Sequence, residues 1–231
     1  MAKAAEGNAL TPEGSLGRYL VVALAIATLY QVFIFFAYPM APGPDAWTYL
    51  TYPEQLFSGD HYSPVMMRQR SPAYPLFLAA VMEIFGENGL ALTIAHHCLA
   101  LIFVTLFFLS LRRFGLLFAC IVSSLVAVAP QIADHFHFCS TEPLYLVLLA
   151  ATLLSIDRYL ERRSGWWAFA AGACLPLTAS CRPVFTLLSY ALLVLLLLKR
   201  SHWQVRGLIV VGWLVPYLGL SALNYAKIGT T

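Results

Sequence analysis

Apolar residues in this chain come in long unbroken runs, not in alternation. Seven runs stand out, at 19–38, 89–111, 116–130, 142–156, 166–180, 184–198 and 207–223, with polar joints between them. A transmembrane β-barrel would need polar and apolar residues to alternate along segments of roughly ten residues, and these runs do not. Continuous runs rich in Leu, Ala and Phe read as helices, which satisfy their own backbone hydrogen bonds in lipid. The first run, about twenty residues, is long enough to span a bilayer and exceeds the short apolar core of a cleavable signal peptide. The pattern predicts an all-α membrane protein with about seven transmembrane helices. A polar tail over residues 1–16 precedes them.

One segment does not fit. Residues 73–85 are apolar but number only thirteen. They would make about 20 Å of helix against a hydrocarbon core of about 30 Å. The placement of cations decides the matter. With seven crossings and the N-terminus inside, Lys3, Arg18, Arg112, Arg113, Arg158, Arg162, Arg163, Lys199, Arg200 and Arg206 fall inside, and Arg68, Arg70, Arg182 and Lys227 fall outside. That excess agrees with the positive-inside rule, whereas an eighth crossing at 73–85 flips every later loop and loses the agreement. Residues 73–85 are therefore expected to form a juxtamembrane or re-entrant helix within a first outer loop over 39–88. The same topology places Asp45, Arg68, Arg70, Asp134, His135, His137, Glu142, Arg182 and Asn224 together on the outer side.

Composition supports the membrane class. The chain is 60% hydrophobic and 11% charged, with a mean hydropathy of +0.75, against roughly 25% charged in soluble domains. The net charge is +3, and no basic cluster interleaved with aromatics points to nucleic acid. Five cysteines (Cys98, Cys120, Cys139, Cys174, Cys181) show no C-x-x-C spacing. Three sit in apolar runs as packing residues, while Cys139 and Cys181 could face one compartment and pair.

The outer loop carries the densest chemistry. Asp45 follows the first run and can cap a helix running from Ala46 toward Pro53, a role compatible with acting as a base. Arg68 and Arg70 suit phosphate, either of a ligand or of lipid head groups. Arg182, between Cys181 and Pro183, lies close to hydrocarbon and needs an anion, water or an ion pair with Glu142. Glu142 with Pro143 also reads as an ordinary helix start. Asp134, His135 and His137 invite a metal reading if the segment is extended, with His61 as a third ligand, so a divalent metal stays open as a cofactor. His96 and His97 are expected to hydrogen-bond inside the bundle, and Gly172, Pro176 and Pro216 to mark packing or kinks.

These motifs resemble a known class in order. GPDAWTYL, LFSGDHYSP and RSPAYPLFLAAVMEIFG are similar to the first outer loop of GT-C class glycosyltransferases that use polyprenyl-phosphate sugars. That group includes the protein O-mannosyltransferases and the aminoarabinose transferase acting on lipid A. STEPLYLVLLAATLL resembles the acidic residue opening the helix after the second outer loop. LTASCRPVFTLL resembles a recurring Arg-Pro, and VPYLGLSALNYAKIGTT the Asn…Gly stretch after the seventh helix. The resemblance covers nearly the whole chain.

The resemblance implies transfer of a sugar, with inversion, from a polyprenyl-phosphate donor to a hydroxyl of a glycan, lipid or protein. It implies Asp45 as general base and Arg70, aided by Arg68 and Arg182, on the lipid phosphate. Tyr49, Asp134, Glu142 and Asn224 would contact the acceptor or support those groups. Simple chemistry agrees, since a phosphate leaving group is already anionic and needs cations, while the acceptor hydroxyl needs a base. The implied location is a bacterial inner membrane, with the site facing outward. The chain departs from several relatives in carrying Ala46 after Asp45 in place of Glu. Residues 17–231 are expected to be a transmembrane module lacking the later helices or soluble domain of relatives. The competing classes are a transporter or flippase, which would want ionisable groups at mid-span or internal repeats, and a non-catalytic subunit that binds polyprenyl phosphate.

Overall fold

The structure is a computed structural model that describes residues 12–38, 46, 49–50, 71–86, 88–199 and 202–228. Its helices are α1 (Pro12–Ala37), α2 (Ala73–Phe85), α3 (Gly89–Leu111), α4 (Leu116–Val128), α5 (Pro130–Ala133), α6 (Glu142–Arg162), α7 (Gly165–Cys181), α8 (Thr186–Leu198) and α9 (Trp203–Ile228). Short 3-10 turns cover Arg112–Phe114, Asp134–Phe136 and Pro183–Phe185. No strand occurs among the described residues. The protein is an all-α membrane protein, as its apolar runs predict.

Local chemistry sets the boundaries. The Asn88 side chain accepts the Leu90 N–H at 2.9 Å and caps α3, the usual use of Asn at a helix start. Gly115, at φ 116°, makes the turn between the 3-10 end of α3 and the start of α4, a conformation costly for any residue with a Cβ. Pro130 ends α4: Ala129 before it is extended, and the chain bends by 68° into α5 and the following turn. A proline N has no hydrogen to continue the ladder, and its ring pushes the preceding residue out of the helical region.

Every predicted run is helical, but their lengths differ from simple crossings. Among the described residues four helices are long and apolar enough to cross a membrane: Ser15–Ala37, Gly89–Phe114, Glu142–Arg162 and Trp203–Leu223. The bent pair Leu116–Val128 and Pro130–Phe136 makes a fifth if counted as one span. The remaining two runs give helices of 17 residues in α7 and 13 in α8, shorter than the roughly 20 residues of a full crossing. The expectation of seven full crossings thus exceeds what length supports, because the runs at 166–180 and 184–198 hold only fifteen residues each and the 3-10 turn at Pro183–Phe185 delays the start of α8. At 13 residues, α2 is a short helix apart from α3, as expected.

Two groups of helices share α6. On one side α3 packs against α1, α4 and α6, and α1 also lies along α4. Their buried cluster includes Ala23, Ala27, Phe103, Phe108, Ala119 and Ala127. Ala23 and Ala27, one turn apart, put small side chains on the packed face of α1, while Val21, Leu29 and Phe33 stay exposed, as suits a surface solvated by acyl chains. On the other side α7 packs against α6, α8 and α9.

The α7–α9 seam is held by backbone proximity. A Cβ on Gly172 would lie 2.2 Å from the Ile209 carbonyl oxygen, and one on Gly212 would lie 2.2 Å from that of Phe169. Small residues at such crossings let helices approach closely where apolar burial gives little net drive in lipid. Across α6 and α7 the Thr152 and Thr178 hydroxyls meet at 2.9 Å.

Replacing Gly172 by Ala should therefore destabilise the bundle by about 1–3 kcal/mol, the usual range for overpacking. Gly219→Ala, with nothing within 4 Å of the added carbon, should not. Denaturant unfolding in detergent, followed by helical signal, checks the contrast.

Candidate active site at the polar end of the bundle

The C-terminal end of α1, the N-terminal ends of α3 and α6, the start of α2 and the C-terminal end of α7 meet at one end of the bundle. A buried cluster seals it: Ala46, Tyr49, Tyr74, Leu78, Val81, Leu92, Cys139 and Cys181. Ala46 is fully buried and Tyr49 nearly so. The Tyr49 ring stands edge-on to Tyr74 with centroids 5.0 Å apart. The loop is thus fastened to the bundle at the residue that directly follows Asp45.

Tyr74 is the hub. Its hydroxyl lies 3.1 Å from His96 Nε2 and 3.3 Å from Cys139 Sγ, and its ring stacks near those of Phe77 and His96. Burial, reinforced by the neighbouring Cys139, raises the phenol well above the ordinary tyrosine range, so the group is a neutral donor and acceptor. Burial also pushes the Cys139 thiol up, and the Tyr74 hydrogen bond offsets that only in part.

The adjacent His97 points to a different set of partners. Its Nδ1 donates to the amide oxygen of Gln31 at 2.6 Å. Nε2 of the neutral ring is then an acceptor, and His137 Nδ1 approaches it at 3.4 Å. Gln31 and His137 are both buried. This chain of three polar side chains ties α1 through α3 to the segment that leads into α6.

The third constellation is charged. Arg182 pairs with Glu142 at 3.0 Å and places its guanidinium 5.7 Å from the centre of the Tyr145 ring. Arg182 is 42% exposed and Glu142 20%, so the pair opens to the surroundings and contributes little stability by itself. Behind it, Cys181 Sγ donates to the Thr141 carbonyl at 3.5 Å. A cleft of about 210 Å³ lies close by, between α7, α8 and α9, lined by Pro72, Pro176, Ser180, Ser189, Tyr190 and Tyr217 among others. Pro72 comes two positions after Arg70 in the chain.

The predicted site residues divide accordingly. Glu142 and Arg182 come together, and Tyr49 is packed on the hub behind them. Asp134 and His135 are exposed, in a 3-10 turn, whereas His137 is buried beyond it. The extended geometry that would aim both histidines at one metal is therefore absent. Among the described residues no group of three or more His, Cys, Asp or Glu could hold a metal ion. Asn224 lies on α9, and its side chain is outside what the structure describes. Asp45, Arg68, Arg70 and His61 lie outside the described residues. Cys139 and Cys181 are free thiols of the same cluster, each with its own hydrogen bond. Sequence reasoning missed Tyr74 and Gln31. Gln31 had left a signal, an amide inside an otherwise apolar run, which in lipid calls for a partner.

A family model described as dolichyl-phosphate-mannose-protein mannosyltransferase matches residues 69–222, two thirds of the chain. No curated protein and no solved structure matches. The chain therefore belongs to the dolichyl-phosphate-mannose-protein mannosyltransferase family, a GT-C type of glycosyltransferase domain. It is an integral membrane glycosyltransferase that draws on a lipid-linked sugar. The matched region includes Arg70, Asp134, Glu142 and Arg182, while Asp45 precedes it.

Tyr74→Phe should strand two buried partners and cost about 1–3 kcal/mol, read as a lower melting temperature in detergent. Because the Tyr74 phenol is raised, it stays protonated through the normal tyrosine range near pH 10. Tyrosinate absorbance up to that range should thus have the same amplitude in wild type and in Tyr74→Phe.

Proposed function

We propose that this protein transfers a sugar from a polyprenyl-phosphate donor to an acceptor hydroxyl, with inversion, at the polar end of the bundle on the outer side of a bacterial inner membrane. The observation that carries this reading is the anchoring of Ala46 and Pro72. One follows Asp45 directly, the other trails Arg70 by two residues, and both are packed at the same end of the bundle as Glu142 and Arg182. A carboxylate, cations and an apolar cleft are the three things that reaction needs.

The roles follow from charge. Asp45 takes the proton of the acceptor hydroxyl as its oxygen attacks the anomeric carbon. The bond from that carbon to the phosphate oxygen breaks, and polyprenyl phosphate departs as an anion. Arg70, Arg68 and Arg182 stabilise that anion, which needs no protonation. Glu142 holds Arg182 against Tyr145, and the serines and tyrosines of the cleft suit a polar head beside an apolar chain. Asp134, Tyr49 and Asn224 support the acceptor side. Residues 17–231 form the transmembrane module that carries this chemistry, following a cytoplasmic tail over 1–16. The charge asymmetry of the loops supports the outward orientation. The acceptor is a glycan, a lipid or a protein.

Asp45→Asn should lower sugar transfer in membranes by about 10²–10⁴, the usual worth of a general base; full activity at equal expression would remove the assignment. Arg182→Ala should raise the donor KM more than it lowers kcat, and an unchanged donor KM would take Arg182 off the phosphate. For orientation, His135→Cys should gain labelling by a membrane-impermeant maleimide applied to intact cells, above the level of the parent chain. Labelling only after lysis would place the site on the opposite side.

A further inference from the structure

Five arginines gather at the end of the bundle opposite the polar site. Arg112 and Arg113 close α3, and Arg158, Arg162 and Arg163 close α6, the helix packed beside it. Two carboxylates answer them. Arg113 forms an ion pair with Asp157, and Arg158 pairs with Glu161 at 2.6 Å while its second amine donates to the Leu109 carbonyl at 3.3 Å. Arg158 and Asp157 are buried. Among the described residues Arg112, Arg162 and Arg163 have no carboxylate partner.

Arg112 stands within electrostatic reach of Arg158 and Arg162, which oppose its charge, and of Glu161 and Asp157, which offset that in part. The C-termini of α3 and α6 present negative dipole ends that favour cations, but that effect fades within a single turn. Five guanidinium groups against two carboxylates leave the fork with a charge of +3.

Aromatic side chains set the depth of the fork. Phe114 lies 4.7 Å below the Arg113 guanidinium and is exposed. Trp166, at the start of α7, and Trp203, at the start of α9, are also exposed. Exposed tryptophans at helix ends mark the level of the head groups. The uncompensated guanidinium groups therefore sit where lipid phosphates are, and a planar guanidinium meets a phosphate through two parallel hydrogen bonds.

We propose that the fork between the ends of α3 and α6 binds the phosphodiester head of an anionic phospholipid, with Arg112, Arg162 and Arg163 as its ligands. This site is separate from the glycosyl-transfer site and does not depend on that assignment. Basic recesses between helix ends are a recurrent way for membrane proteins to hold acidic head groups.

The test uses the full chain in phosphatidylcholine bilayers, with spin-labelled phosphatidylglycerol and phosphatidylcholine as probes and the motionally restricted fraction as readout. Wild type should retain phosphatidylglycerol preferentially. The double variant Arg162→Gln, Arg163→Gln should lose about fivefold in relative association for each arginine removed, with phosphatidylcholine unchanged. Arg112→Gln, on the other helix, should lose a similar factor and guards against a folding defect confined to the first variant. Equal retention of both lipids by wild type overturns the proposal. Undiminished selectivity in both variants does the same. Abolition of the selectivity by millimolar inorganic phosphate would assign the fork to a free anion in place of a lipid.

Discussion

A hydrocarbon solvent offers no hydrogen bonds, and the arrangement of this bundle follows from that. Each polar side chain in a span must find its partner inside the protein or reach an interface. Gln31 and His97 find each other between α1 and α3. Thr152 and Thr178 do so between α6 and α7. Ionised groups go to the two ends, where Glu142 meets Arg182 and Asp157 meets Arg113. Sorting of this kind concentrates reactive side chains at a surface without any need for a deep polar cavity.

The two ends solve different problems. At the polar end the neutral network of Tyr74, His96 and Cys139 fixes the start of α2 against α3, and the exposed ion pair lies beside it. Neutral hydrogen bonds supply the framework, and the charged pair stands at the more open rim. At the arginine-rich end the Arg113–Asp157 ion pair and the Arg158 hydrogen bond to the Leu109 carbonyl tie α3 to α6, and cations are left over.

The helical class was fully legible from the sequence, because continuous apolar runs leave few alternatives. Loop charges put Glu142 and Arg182 on one side of the bundle, and the two side chains do meet. Crossing lengths were less legible. A list of apolar runs does not show that the chain bends by 68° at Pro130 and carries on as a short helix and a 3-10 turn. The tyrosine hub was not legible either, since Tyr74 is an unremarkable residue among apolar neighbours until α2 folds back onto α3 and His96 comes within 3.1 Å. His135 and His137 looked equivalent by spacing, and a 3-10 turn sends one outward and the other inward.

The seam between α7 and α9 governs how the cleft beside it can open. Glycines at 172 and 212 bring those two backbones into contact, so that wall of the cleft cannot yield without separating helices. The other wall is α8, whose buried residues are only Ser189 and Leu196 among the described ones. One side of the cleft is clamped and the other is loosely held against lipid. Under the function proposed above, a long-chain donor entering sideways from the bilayer would meet α8 as the wall that can give, because the two walls are fastened so differently.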